Sequence, residues 1–174
     1  MKRRQFIAAS TGIAVYSIFK ASIFKPAWAA TMTTEIAPLN KPTEQWREVL
    51  SQESYAVLFE EATERAGSSP LNKEKRAGTF ICGACFLPLF SSEAKYESGT
   101  GWPSFWQPIS PGHIATKRDF FLILPRTEYH CARCGGHQGH VFDDGPEPTG
   151  LRYCNNGLAL RFVPTEEKLP ELRS

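Results

Sequence analysis

The sequence predicts a mainly β body of antiparallel strands with short helices on its N-terminal side. Three observations carry this. After Gly78, short runs rich in β-branched and aromatic residues are separated by Gly, Pro, Asn and Asp clusters, with no helical pattern between them. Helical periodicity is confined to the region before Gly67. Two Cys-x-x-C pairs fall at the ends of expected strands, where they can clip distant parts of such a body together.

The elements follow in order. Lys2-Arg3-Arg4 is a basic opening, an apolar stretch runs from Phe6 to Phe19, and Ala27-Trp28-Ala29 offers the small residues of a cleavage site. Residues 1–29 therefore read as an export leader. The alternative is a membrane anchor, but Lys20 and Lys25 interrupt the apolar run. Arg3-Arg4-Gln5-Phe6-Ile7 resembles the twin-arginine address, which would engage the twin-arginine export machinery and place the folded protein in the periplasm or otherwise outside the cytoplasm. Residues 30–42 read as a flexible lead-in, residues 43–166 as the functional domain and residues 167–174 as a frayed C-terminal tail. Within the domain, Pro42-Thr43-Glu44 starts a short helix with Thr43 as candidate N-cap. Tyr55, Leu58, Phe59, Ala62 and Ala66 make an apolar helical stripe over residues 51–66, which Gly67 stops. Strands are expected at 79–82, 87–90, 120–124, 128–131, 141–142 and 158–163.

Charge excludes one class of partner. The whole chain carries +2, but the leader holds five basic residues and no acid, which leaves −3 on the remaining 145. The basic character belongs to the leader, and no basic stripe argues for nucleic acid. The chain is expected to act as a monomer.

Five cysteines carry the chemistry. Cys82-Gly83-Ala84-Cys85 and Cys131-Ala132-Arg133-Cys134 are two knuckles, each in a turn between strands, and together they suit a tetrahedral Cys₄ zinc site. Such a closed shell has no open position for water, so one zinc ion here would be structural. Two disulfides are the alternative for an exported chain. Cys154 is left over, either as an inert buried thiol or as a reactive one. Arg152 precedes it, and His137, His140 and Asp144 lie just upstream. Cationic neighbours of this kind lower a thiol's pKa and raise its thiolate fraction. Asn155-Asn156-Gly157 suits a turn with amide groups facing a site.

Six ordered blocks then resemble the type B methionine sulfoxide reductases, from about Thr43 to Pro164. They are Ser69-Pro70-Leu71 through Glu74-Lys75-Arg76, the first knuckle, Ser98-Gly99-Thr100-Gly101-Trp102-Pro103-Ser104-Phe105, the second knuckle with Gly135-Gly136-His137, Gly139-His140-Val141-Phe142, and Gly150-Leu151-Arg152-Tyr153-Cys154. The resemblance implies two antiparallel sheets of the Mss4-like (β-tent) type with short N-terminal helices and a structural zinc. It implies reduction of the R epimer of methionine sulfoxide in proteins or peptides. Cys154 would attack the sulfoxide sulfur, leaving a sulfenic acid. Trp102 would receive the substrate methyl group, with Phe142 beside it. His140 would donate to the sulfoxide oxygen with His137 next to it, and Asn156 would help hold that oxygen. Arg152 and Asp144 would set the charge around the thiolate, although both suit an ordinary ion pair. Many relatives carry a recycling cysteine where this chain has Thr100, so an external thiol on a thioredoxin-like partner is expected to reduce the sulfenic acid of Cys154. Asn155 stands where relatives often place an apolar residue, and His130 is a second unexpected polar residue, expected to be exposed. A non-catalytic zinc-knuckle binding module and a thiol peroxidase are the rival readings.

Overall fold

The computed structural model of the chain describes residues 36–119 and 125–174. The expected leader, its cleavage position at Ala29 and the strand expected at 120–124 lie outside the described residues. No helix among the described residues is long and apolar enough to cross a membrane.

Of the two N-terminal helices, the first is short as expected and the second is shorter than expected. Thr43–Glu48 is a 3-10 segment that buries Trp46. Thr43 is its first residue rather than its cap, because Pro42 supplies the extended entry at φ −54° and ψ 135°. The helix α1 (Gln52–Glu60) starts at Ser51, whose hydroxyl accepts from the Ser54 N–H at 3.1 Å. It ends at Glu61, which is left-handed at φ 55°, so residues 61–66 run as a loop. The periodic stripe overshoots because Ala62 packs on the core from that loop and keeps the spacing without the helix.

Nine strands are described, in two antiparallel sheets, as expected. The smaller has the order β2 (Pro88–Ser91), β1 (Gly78–Cys82), β9 (Leu160–Pro164). The larger has the order β3 (Lys95–Tyr96), β4 (Ser104–Phe105), β8 (Arg152–Asn155), β7 (His137–Phe142), β6 (Arg126–Cys131), β5 (Ile114–Asp119). Aromatic rings join the sheets. Phe90 of β2 stacks on Phe105 of β4 at 4.2 Å, Phe80 of β1 meets Phe105 edge-on at 4.9 Å, and Phe90 meets Tyr129 of β6 edge-on at 6.1 Å. Each such pair contributes about 0.5–1.5 kcal/mol beyond its burial.

Both ends of the domain are packed, contrary to expectation. Ile36 and Leu39 lie against the core, and the Leu39 N–H donates to the Arg133 carbonyl. Near the C-terminus the Arg173 N–H donates to the Cys85 carbonyl at 3.0 Å, and Arg133 Nη1 donates to the Arg173 carbonyl at 2.5 Å. Arg173 also lies over the Phe86 ring at 4.0 Å. Both tail hydrogen bonds use the main chain of Arg173, and only the ring contact uses its charged side chain.

Candidate active site

The site is built on three neighbouring strands. On β8, alternation turns Tyr153 and Asn155 toward the interior and Arg152 and Cys154 the other way. Antiparallel pairing sets His140 of β7 directly opposite Cys154, and Ser104 of β4 on its other side. Opposed side chains stand roughly 4.5–5.5 Å apart at Cβ, so register alone brings the imidazole to the thiol. Gly139 permits this closeness. A Cβ there would lie 1.9 Å from the Cys154 carbonyl oxygen.

A cavity of about 140 Å³ opens between these strands and the loop after α1. Cys154, His140, Asn156, Trp102 and Phe142 line it, joined by Thr63 and Arg126. The other three expected residues lie around it rather than in it. Arg152 grips Asp144 through two bonds of 2.8 Å and lies over the Phe142 ring at 4.3 Å. His137 is buried, with Nδ1 2.9 Å from a Glu128 oxygen, and faces an adjoining charged cavity that it shares with His140. Asp144 remains largely exposed.

The electrostatics differ from the simple expectation. Burial pushes the Cys154 thiol above its ordinary value, and the Arg152 charge with hydrogen bonds from Thr100 and Arg152 offsets only part of this. The resting group is therefore a protonated thiol. Burial likewise holds the His140 imidazole below its usual range, against the bond of 2.8 Å between Nε2 and Asp119. Thiol and imidazole thus face each other as neutral groups near pH 7. Thr100 lies against Cys154 and belongs to a hydroxyl chain. Ser98 Oγ lies 2.9 Å from Thr100 Oγ1 and 2.7 Å from Ser104 Oγ, and the Ser104 hydroxyl donates to the Trp102 carbonyl at 3.2 Å.

Two unexpected residues gain an account. Asn155 is fully buried because the phenol of Tyr129 needs a partner there. The Tyr129 hydroxyl donates to Asn155 Oδ1 at 2.6 Å, and Asn155 Nδ2 donates to the Asn156 carbonyl at 2.8 Å. His130 is half-buried on β6 rather than exposed, and burial lowers its pKa. Sequence reading missed Glu64 and Thr63, which arrive from the loop that had been read as helix. It also missed Arg126, the first residue of β6, which falls between the strands expected at 120–124 and 128–131.

The two knuckles converge away from the cavity. The sulfurs of Cys82, Cys85, Cys131 and Cys134 all lie within 4.8 Å of one another, with Cys82 and Cys134 3.6 Å apart and Cys85 and Cys131 3.5 Å apart. A tetrahedral zinc with bonds of about 2.3 Å sets its sulfurs roughly 3.8 Å apart, so the cluster fits the ion. All five cysteines are free, so the disulfide alternative falls. The four sulfurs compete for protons. Hydrogen bonds from Cys131 and its neighbours hold Cys85 far below the usual thiol range and push Cys82 far above it. A divalent cation would relieve that competition.

Comparison with known proteins agrees with this arrangement. The SelR domain family model matches residues 50–164. A peptide methionine sulfoxide reductase MsrB of Bradyrhizobium diazoefficiens is 52% identical over 136 residues, 78% of this chain and 97% of the relative. Those of Leptospira interrogans and Methanosarcina barkeri are 49% and 48% identical over 71% and 74% of this chain, and 95% and 91% of the relatives. With its four clustered cysteines as a structural zinc site, the chain belongs to the SelR-domain family of MsrB peptide methionine sulfoxide reductases and is an oxidoreductase of that family.

Proposed function

We propose that this chain reduces the R epimer of methionine sulfoxide in proteins or peptides, with Cys154 as nucleophile. The observation that carries the reading is the direct pairing of His140 with Cys154 on a small cavity walled by Trp102 and Phe142. The substrate methyl group packs against Trp102, which directs the sulfoxide sulfur to Cys154. His140, neutral at rest, takes the thiol proton as Cys154 attacks and passes it to the sulfoxide oxygen. One amide N–H of Asn156 is used on the Gln138 carbonyl, and the other, which bonds no group among the described residues, holds that oxygen. The bond formed between Cys154 Sγ and the substrate sulfur then breaks as the protonated oxygen moves from that sulfur to Sγ, so the thioether leaves reduced by two electrons and Cys154 is left as a sulfenic acid. The Asp144–Arg152 pair holds the guanidinium beside the sulfur, and His137, tied to Glu128, supports the position of His140. Zinc supplies structure alone and takes part in no step.

Recycling falls to an external dithiol such as a thioredoxin-like protein. Its first thiol displaces water from the sulfenic acid to form a mixed disulfide, and its second releases Cys154. Thr100 offers no internal thiol for this step, and the other four sulfurs are held in the zinc cluster. Export as a monomer through the twin-arginine route would carry the zinc-loaded fold to the periplasm. The leader motif supports that reading, and cell fractionation of an Arg3→Lys, Arg4→Lys variant tests it: a periplasmic variant would refute it.

The decisive test is an assay of the mature protein with each sulfoxide epimer. Turnover of the R epimer is expected, with loss in Cys154→Ser. Turnover of the S epimer alone would overturn the assignment. Intact mass after substrate without reductant should show one added oxygen, and an intramolecular disulfide would refute external recycling.

A further inference from the structure

Glu64 takes part in no step above, yet each of its polar groups ends on the wall of the reactive cavity or on the turn that carries Asn156. Its carboxylate accepts the Gly157 N–H at 2.6 Å and the Leu158 N–H at 3.2 Å. Its own backbone N–H donates to Asn156 Oδ1 at 3.1 Å, and its carbonyl accepts the indole N–H of Trp102 at 3.1 Å. We infer that Glu64 is a positioning residue that sets substrate selectivity, clasping Trp102 and Asn156 to the turn that follows Cys154.

The argument is geometric. Residues 61–66 form a loop with no strand pairing of their own, held over the cavity by the packing of Ala62 and by specific bonds. The side chain of Glu64 anchors in the first two N–H groups of the 3-10 turn Gly157–Ala159, which lack partners within the turn. A carboxylate meets two donors with two acceptors, whereas an amide would turn an N–H toward one of them. The anchor is also tight. A Cβ on Gly157 would lie 2.0 Å from Ser69 Oγ and 3.2 Å from Glu64 Oε1, so the turn cannot slide toward the loop. With the side chain fixed, the main chain of Glu64 fixes the indole on one side and the Asn156 amide on the other. Trp102 is thereby held from behind, at the one polar atom of its ring.

The inference rests on the reading of Trp102 as the wall that receives the methyl group. The experiment compares R-methionine sulfoxide with its analogue bearing ethyl on sulfur, in wild type, Trp102→Ala, Glu64→Gln and Glu64→Ala, with thermal melting of each. Wild type should prefer methyl by about tenfold or more, the discrimination a hydrophobic pocket exerts over one methylene. Trp102→Ala should erase most of that preference. Glu64→Gln should relax it by about fivefold and raise KM more than it lowers kcat, a pattern of loosened positioning rather than lost chemistry. Glu64→Gln guards against a failure of the alanine variant to fold. Relaxed selectivity in Trp102→Ala with wild-type selectivity in folded Glu64→Gln and Glu64→Ala would overturn the clasp. Unchanged selectivity in Trp102→Ala would overturn the methyl-wall reading, and the clasp with it.

Discussion

At Cys154 two opposing influences meet, and their balance is measurable. Burial favours the neutral thiol, while Arg152 and the Thr100 hydroxyl favour the thiolate. The rate of alkylation by iodoacetamide should therefore rise with pH to a midpoint above that of an ordinary thiol. Thr100→Val keeps the volume and removes the hydroxyl, so it should raise the midpoint further and slow alkylation at neutral pH by about threefold, the effect of losing a hydrogen bond worth roughly 0.5–1 kcal/mol. Thr100→Ser should restore the wild-type profile, and a Thr100→Val profile identical to wild type would show that the hydroxyl does not reach the sulfur. Cys154 was legible in the sequence because it was the cysteine left unpaired by the two knuckles. The sign of its shift was not, because the neighbours named by sequence are the charged ones and burial has no motif. Glu64 was illegible for a related reason: one acid among several in a polar stretch becomes singular only when folding buries it. Asn155 was noticed without an account, since its partner Tyr129 lies 26 residues away.

The strands that were read correctly are those with a plain apolar run. β1 and β2 appeared nearly in place, and β6 and β9 within two residues. The elements that hold the site were not read, or only in part. β4 is two residues of Ser and Phe, β8 is Arg-Tyr-Cys-Asn, and the first half of β7 is His-Gln-Gly-His. They are strands because their neighbours in the larger sheet pair with them, a tertiary effect that outweighs local propensity. This makes register the property on which the chemistry depends. Gly139 tests it. Gly139→Ala would drive a methyl group into the Cys154 carbonyl and push β7 and β8 apart, at a cost of about 1–3 kcal/mol. Thermal unfolding should show that loss, and kcat/KM should fall by more than stability alone requires, because His140 and Cys154 separate. Gly112→Ala is the control, with only Ser110 Oγ at 3.9 Å from the added carbon, and should behave as wild type. Equal behaviour of the two variants would show that the approach of β7 to β8 tolerates a side chain.

Across the whole molecule, the zinc cluster joins the first knuckle, after β1 of the smaller sheet, to the second, after β6 of the larger one. The four ligands and their convergence were legible from two Cys-x-x-C pairs. The lid over them was not, because the C-terminal residues look like a charged tail. That tail runs back along the first knuckle. Arg173 bonds the Cys85 carbonyl through its N–H, its own carbonyl takes the bond from Arg133, and Lys41 Nζ reaches the Ser174 carbonyl at 3.0 Å. Arg133 Nη1 also approaches the Cys85 carbonyl at 3.4 Å, so the same guanidinium joins knuckle and tail. Four thiolates around one zinc carry net negative charge, and two arginines beside them offset it while covering the Cys85 turn. Deleting residues 172–174 removes three of these bonds and the Arg173 cation without touching a ligand or the reactive cavity. Zinc release to a chromogenic chelator should then accelerate by about tenfold, the equivalent of roughly 1.4 kcal/mol. Circular dichroism and the initial kcat of freshly loaded protein should stay near wild type, whereas Cys82→Ser should lose zinc and fold together. Wild-type release kinetics after the deletion would show that the tail rests on the knuckle without holding it closed. Accelerated release would mean that the staple joining the two sheets is itself retained by residues distant from every ligand in sequence except through the fold.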